Sequence, residues 1–310
     1  MIRTATCLAA FAALAIPAAF AETKTYDAKA FHEIDASGAI DVIYERAPNR
    51  SISVEQAEGD FSDLYLEFDG ETLVVSRNSV RDHKGWFGGV SINVRDGRKI
   101  VKVNGKRVPY YVVRVSGPDL DAARSSSSAK LVASGIESDE FDARASSSGD
   151  LVLSGTAGHA RFHASSSGDL EAGAFQAASL VIHASSSGDV EAKVTGTGRV
   201  MIEASSSGEV ELLSLADADF VVDASSSADV EMEGACATIE IEASSSADVD
   251  ANELICREAT VAASSSGDVS VHASDVIKAH ASSSGDISVS GSPATRDVTK
   301  SSGGDIDFNS

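Results

Sequence analysis

Nine serine triplets recur through the C-terminal two thirds of the chain at almost constant spacing. Their first serines are Ser126, Ser146, Ser165, Ser185, Ser205, Ser225, Ser244, Ser264 and Ser282, and a degenerate tenth copy begins at Ser301. Every step is 18 to 20 residues. A flexible linker has nothing to hold in register, so it has no reason to keep such a step. Inside a copy the residues alternate: "IHASSSGDVEA" (182–192) sets Ile182, Val190 and Ala192 between His, Asp and Glu. Three columns are apolar in every copy. One runs from Ala123 to Val298 before the serines, one from Leu131 to Ile306 after them, and one from Ala133 to Phe308 two residues further on. Period two is the signature of strands with one buried face. About 20 residues cannot enclose a core alone, but they suit one coil of a solenoid in which each coil pairs with its neighbours. The expected fold is therefore all-β: a parallel β-helix of about ten coils, roughly 50 Å long at about 4.8 Å per coil. Continuing the alternation through the serines places Ser186 and Gly188 inward and Ser185 and Ser187 outward. The serine hydroxyls are expected to bond backbone groups or water.

Residues 1–21, "MIRTATCLAAFAALAIPAAFA", read as a secretory signal ending in an A-x-A site before Glu22. The mature chain is then expected to be exported to the periplasm, the outer surface or the medium. No other stretch is apolar enough for a transmembrane helix. The net charge of −22 repels phosphate backbones and argues against nucleic acid. Aromatic residues are 5% of the chain, with a single Trp86, which leaves few rings for sugar stacking.

Residues 22–124 show no serine repeat and read as a β-rich cap, with residues 125–310 as the coils. In the cap Ile40, Val42 and Tyr44 alternate, Ile52 and Val54 follow Pro48-Asn49, and two hairpins turn near Asp69-Gly70 and at Asn104-Gly105. Phe31, Ile34, Ser37, Gly38, Ile40 and Val42 in "FHEIDASGAIDV", the "DGETLVV" hairpin, and "VVRVSGPDLDAARSSSSAKLVASG" with the coils after it resemble one family of secreted bacterial proteins. Its name is "putative auto-transporter adhesin, head GIN domain", and the resemblance spans about residues 28–310. The Gly-Ile-Asn of the name is replaced here by Gly38-Ala39-Ile40-Asp41. The resemblance implies a right-handed parallel β-helix and an adhesin-like role, and little about activity. No C-terminal membrane barrel is read, so a complete autotransporter is not expected.

Four features are candidate sites. The residue after each Ser corner gives an acidic ladder: Asp150, Asp169, Asp189, Glu209, Asp229, Asp248, Asp268, Asp286 and Asp305, with Lys130 in the first coil. It reads either as a row for Ca²⁺ or as carboxylates held by turn N–H and O–H groups and screened by water. His163 and His183 are stacked neighbours beside Glu203, Asp223, Glu242 and His280, either a metal site or a solvated face. Cys236 and Cys256 occupy one column of adjacent coils, as a disulfide or as two packed thiols. Residues 77–107 are basic, with Arg77, Arg81, Lys84, Arg95 and Lys99 near Trp86 and Phe87. They form either a loop for an anionic glycan, a lipid headgroup or an envelope partner, or a hairpin docked on the acidic rod. The repeated serines argue against a single nucleophile, so no catalytic residue and no cofactor are expected. The leading function is a non-enzymatic envelope or surface protein of adhesin type. A β-helix carbohydrate-active enzyme and a cation-dependent assembly protein are the alternatives. An enzyme of that kind would place unlike acidic and basic residues at one groove. The last coil is expected to leave open strand edges for end-to-end self-association.

Overall fold

The computed structural model describes residues 22–56, 59–81, 90–95 and 98–309. It is a parallel β-solenoid, with one four-residue helical turn at Asn78–Arg81. From Lys130 onward each coil pairs in parallel with the next. Lys130, Asp150, Asp169, Asp189, Glu209, Asp229, Asp248, Asp268, Asp286 and Asp305 fall in one row. The three apolar columns line the interior as their period requires. They are buried throughout, save at the last coil, where Val298 is 43% exposed and Phe308 is half-buried. There Thr295–Lys300 and Asp305–Phe308 pair with a coil on one side only among the described residues.

The serine run is not an inward wall. Ser186 is exposed, not buried, and so are its counterparts from Ser147 onward. The alternation stops because the second and third serines both take left-handed backbone conformations, as at Ser186 (φ 52°) and Ser187 (φ 61°). Two successive residues of that kind, closed by a bond from Gly188 N–H to Ser185 C=O at 3.0 Å, make a tight corner. Each left-handed serine costs about 1–2 kcal/mol in isolation. Stacking offsets the cost, because corner N–H groups bond the next corner, as from Ser167 to Ser186 C=O at 3.3 Å. One corner hydroxyl bonds the backbone directly: Ser125 Oγ donates to Ala129 C=O at 3.0 Å. The small fourth residue has a packing reason. A Cβ built on Gly188 would lie 2.4 Å from the backbone of Ala164 and Ser165, so the corner wedges against the coil below it.

The repeat begins earlier than the serines. Glu33–Ser37 and Asp41–Arg46 pair in parallel with the first serine coil, Ser37 against Ser126 and Asp41 against Lys130. Between them Gly38 (φ 88°) and Ala39 (φ 53°) make the same left-handed corner. "ASGAID" is thus a serine corner written in other small residues, and Asp41 is the first rung of the acidic column. Tyr111–Gly117 then inserts between Asp41–Arg46, to which it is parallel, and Ser51–Gln56, to which it is antiparallel. The antiparallel strands Leu64–Asp69 and Thr72–Arg77 cover the other wall. Reversing direction there ends the parallel stack and closes the N-terminal end of the core.

Cys236 and Cys256 are register partners and are joined by a disulfide, with a Cα separation of 4.5 Å. Both are buried. A bond closing a loop of this length stabilises by about 3 kcal/mol on the chain-entropy account. The Cys236→Ala/Cys256→Ala protein is expected to show that loss as a lower denaturant midpoint. An unchanged midpoint, with and without reductant, would mean that the thiols contribute only by packing.

Candidate functional site

The solenoid carries its charge in columns. Besides the first acidic column there is a second, two residues on. Glu171, Glu191, Glu211, Glu231 and Asp250 are successive register partners. Over five coils, from Asp169 to Asp250, ten exposed carboxylates therefore stand in two adjacent rows. Among the described residues no ion pair reaches any of the ten. Like charges at such spacing repel and compete for the same water. Partial burial pushes the Asp150, Asp169, Asp189, Glu209 and Asp248 carboxyls above their ordinary values, and neighbouring carboxylates push the same way. Lys130 works against this at Asp150.

The sign of the resulting pH dependence follows. A carboxyl whose folded-state value is raised holds its proton more tightly folded than unfolded. Stability therefore falls as pH rises through the ordinary carboxylate range and is gained on acidification. Glu33, held low by its bond from Arg124, opposes this, as do Asp60 and Asp305 and, on acidification from pH 7, His163, whose value burial lowers. The five raised carboxyls outnumber these four, so the melting temperature is expected to be higher near about pH 5 than at pH 7. Salt is expected to narrow the gap. A melting temperature that falls steadily from pH 7 to 5 would contradict this account. Among the described residues no group of three or more His, Cys, Asp or Glu side chains is arranged to hold a metal ion.

The histidine column lies on the strands before the corners. The His163 and His183 rings are 6.1 Å apart, and His183 Nδ1 is 2.9 Å from Glu203. Burial and the adjacent His183 lower the His163 pKa. Two Ser–His contacts also occur, His159 Nδ1 to Ser179 Oγ at 2.8 Å and His272 Nδ1 to Ser290 Oγ at 3.1 Å. Each joins register partners of adjacent coils and is a rung of the stack.

The basic segment divides in two. Arg77 is not on a surface: it is fully buried beneath the cap. Its guanidinium pairs with Asp63 at 3.0 Å, donates to Ala39 C=O at 3.0 Å and to Pro109 C=O at 2.6 Å, and lies over the Tyr111 ring. This corrects its reading as part of a basic face. Asp63 and the Gly38-Ala39 corner, far away in sequence, are what draw it in. The strands Val90–Arg95, Arg98–Val103 and Lys106–Val108 form a separate antiparallel sheet. Val101 and Val103 bury against Ala39, and Lys99 Nζ pairs with Asp41 at 2.6 Å. Tyr110 donates to the same carboxylate, and burial beside that charge pushes its pKa up. The sheet is thus docked on the first corner of the rod. Arg81 ends the helical turn and Arg95 ends a strand. Lys84, Trp86 and Phe87 lie outside the described residues.

One feature was not read from the sequence. An open groove of about 1030 Å³ runs beside the coil bends near the N-terminal end. Arg46, Arg124, Arg144 and Arg161 line it together with His32, Glu33, Asp121, Glu137, Glu140 and Asp142. They interlock: Arg46 with Glu137 at 2.6 Å, Arg124 with Glu33 at 2.7 Å, Arg144 with Asp142 at 2.8 Å, and Arg161 with Glu140 at 3.9 Å. Column order breaks down here because the cap strands and the Pro118–Asp121 connection meet the first coils. Such a surface offers fixed donors and acceptors to a hydroxyl-rich ligand. Its aromatic residue, Phe141, is buried.

The fold and these surfaces define a repetitive β-solenoid rod whose distinctive side chains gather at its capped end. Residues 30–214 and 196–293 match the family model described as "Putative auto-transporter adhesin, head GIN domain", and the chain belongs to that family. Similar solved structures include a putative adhesin from Parabacteroides merdae, at 16% identity and a TM-score of 0.46, covering 95% of this chain and 98% of that one. A putative lipid binding protein from Parabacteroides distasonis is 17% identical with a TM-score of 0.41, covering 92% and 96%. A putative adhesin from Bacteroides fragilis is 15% identical with a TM-score of 0.32, covering 93% and 96%. No curated protein matches the chain. No helix among the described residues is long and apolar enough to cross a membrane.

Proposed function

We infer that the protein is an exported, non-catalytic, adhesin-like rod that holds its capped end toward a glycan or an envelope partner. The observation that carries this reading is the contrast between the two parts of the molecule. The coils repeat nearly identical corners and rungs, which suits a spacer. Among the described residues a large groove and a separate antiparallel sheet both lie near the N-terminal end. The signal-like residues 1–21 support export, and the family supports the adhesin role. Binding of the purified mature protein to intact cells and to arrayed glycans tests it. Binding reduced at least tenfold by Arg124→Glu/Arg144→Glu, with the fold intact by circular dichroism, is the expected result. Binding that survives those changes would remove the groove from the reading.

A second reading has one specific observation behind it. The groove does gather unlike acidic and basic residues, as a carbohydrate-active enzyme would require. Four of its carboxylates, Glu33, Glu137, Glu140 and Asp142, are paired with arginines, however, and Arg124 holds Glu33 below the usual carboxylate range. A general acid needs a raised value. Release of reducing ends or unsaturated products from acidic polysaccharides, lost on changing Glu33 or His32, would favour the enzyme.

A further inference from the structure

The docked sheet differs in charge from the rest of the chain. Its three strands hold six basic residues and no acidic one, in a chain of net charge −22. One lysine, Lys99, is used inside the molecule, on Asp41. Lys102 and Lys106 are exposed. So are Ile92 (42%) and Val94 (69%) on Val90–Arg95, which pairs on one side only among the described residues.

The complementary surface lies further along the same rod. The double acidic row, Asp169–Asp250, begins beyond the coils against which the sheet is fixed by Val101, Val103 and Lys99. Asp41, which receives Lys99, is the first rung of the same column. Each molecule therefore already shows a lysine of this sheet seated on a carboxylate of this column.

We propose that the basic sheet of one molecule docks on the double acidic row of a second copy. The contact joins unlike surfaces, so each molecule keeps one free sheet and one free row, and association continues as a staggered chain of rods. Net repulsion between copies is screened beyond about 8 Å at physiological salt, so local complementarity decides the contact. The inference rests on the fold and the charge columns and stands apart from the adhesin reading. If both hold, the partner on an opposing surface is another copy.

Sedimentation velocity of the mature chain tests it. Concentration-dependent association at about 0.15 M salt, reversed at about 0.5 M, is expected. Lys102→Glu/Lys106→Glu takes the three strands from six positive charges to a net of two, and Glu191→Lys/Glu211→Lys places two cations in the second acidic column. Each variant alone is expected to be at least tenfold weaker in self-association, with an unchanged circular dichroism spectrum. Mixed, they are expected to form a 1:1 complex, since one supplies an intact row and the other an intact sheet. A variant that fails to fold would also fail in the mixture, so the mixture separates loss of contact from loss of structure. A wild-type chain monomeric at both salts overturns the proposal. So does association that both variants retain, which would point to the strand edges of the last coil. Salt-sensitive retention of a monomeric wild type on heparin, lost in the lysine variant, would assign the sheet to an anionic glycan and likewise overturn it.

Discussion

Arg77→Leu is expected to destabilise the N-terminal end of the rod by about 3–5 kcal/mol. The guanidinium is completely buried and ties three stretches of chain together: Asp63, the Ala39 carbonyl of the first corner, and the Pro109 carbonyl ahead of the strand that inserts at the cap. Removing it leaves Asp63 without its cation and two carbonyls without donors. Arg77→Lys keeps the charge but loses the fork, and is expected to fall between the two. Because coils interact mainly with their neighbours, the loss should be local. Amide hydrogen exchange is the suitable measurement. Protection at residues 33–46 and 111–117 should drop while residues 229–264 stay protected. Equal protection in variant and wild type would show that Arg77 is not the tie we describe.

Phe162→Ala is expected to cost about 3–5 kcal/mol, and Phe162→Leu clearly less. Phe162, Phe141 and Phe175 form an aromatic cluster inside the first serine coils, with ring centroids 5.7 Å apart for Phe162–Phe175 and 5.3 Å for Phe141–Phe175. Small neighbours make room for them. Ala143 lies against Phe162, and Gly155 (φ 141°) lies against Phe175. The coil cannot collapse into the space left, because ladder bonds hold its walls at a fixed separation. Denaturant unfolding followed by circular dichroism reads the change. A shift no larger than that of an exposed control such as Glu231→Ala would mean that the interior repacks freely.

Most of the rod was legible because its rule is local and repeated. Period two gave the buried columns, and the step of 18 to 20 residues gave their stacking. The acidic column and the Cys236–Cys256 neighbourhood follow from the same step. The second acidic column was equally accessible, since Glu171, Glu191, Glu211 and Glu231 share the spacing. The corner was misread because alternation was carried through Ser186, and nothing in a serine announces a left-handed backbone. Asn or Gly would have done so. The cap was hidden for a different reason. "ASGAID" shares no serine run with the coils, and only pairing with Ser126 and Lys130 shows that it is the same corner.

The sequence by itself determined that this chain builds a stacked parallel rod with charge in rows, because each coil states its own pattern and the neighbour's pattern is the same. Tertiary structure alone decided where that regularity ends. Arg77 becomes a buried tie instead of a surface cation, and four arginines meet carboxylates in one groove. A basic sheet comes to rest on the first corner. These are contacts between residues tens of positions apart, set by which strand inserts where at the cap, and no periodicity encodes them.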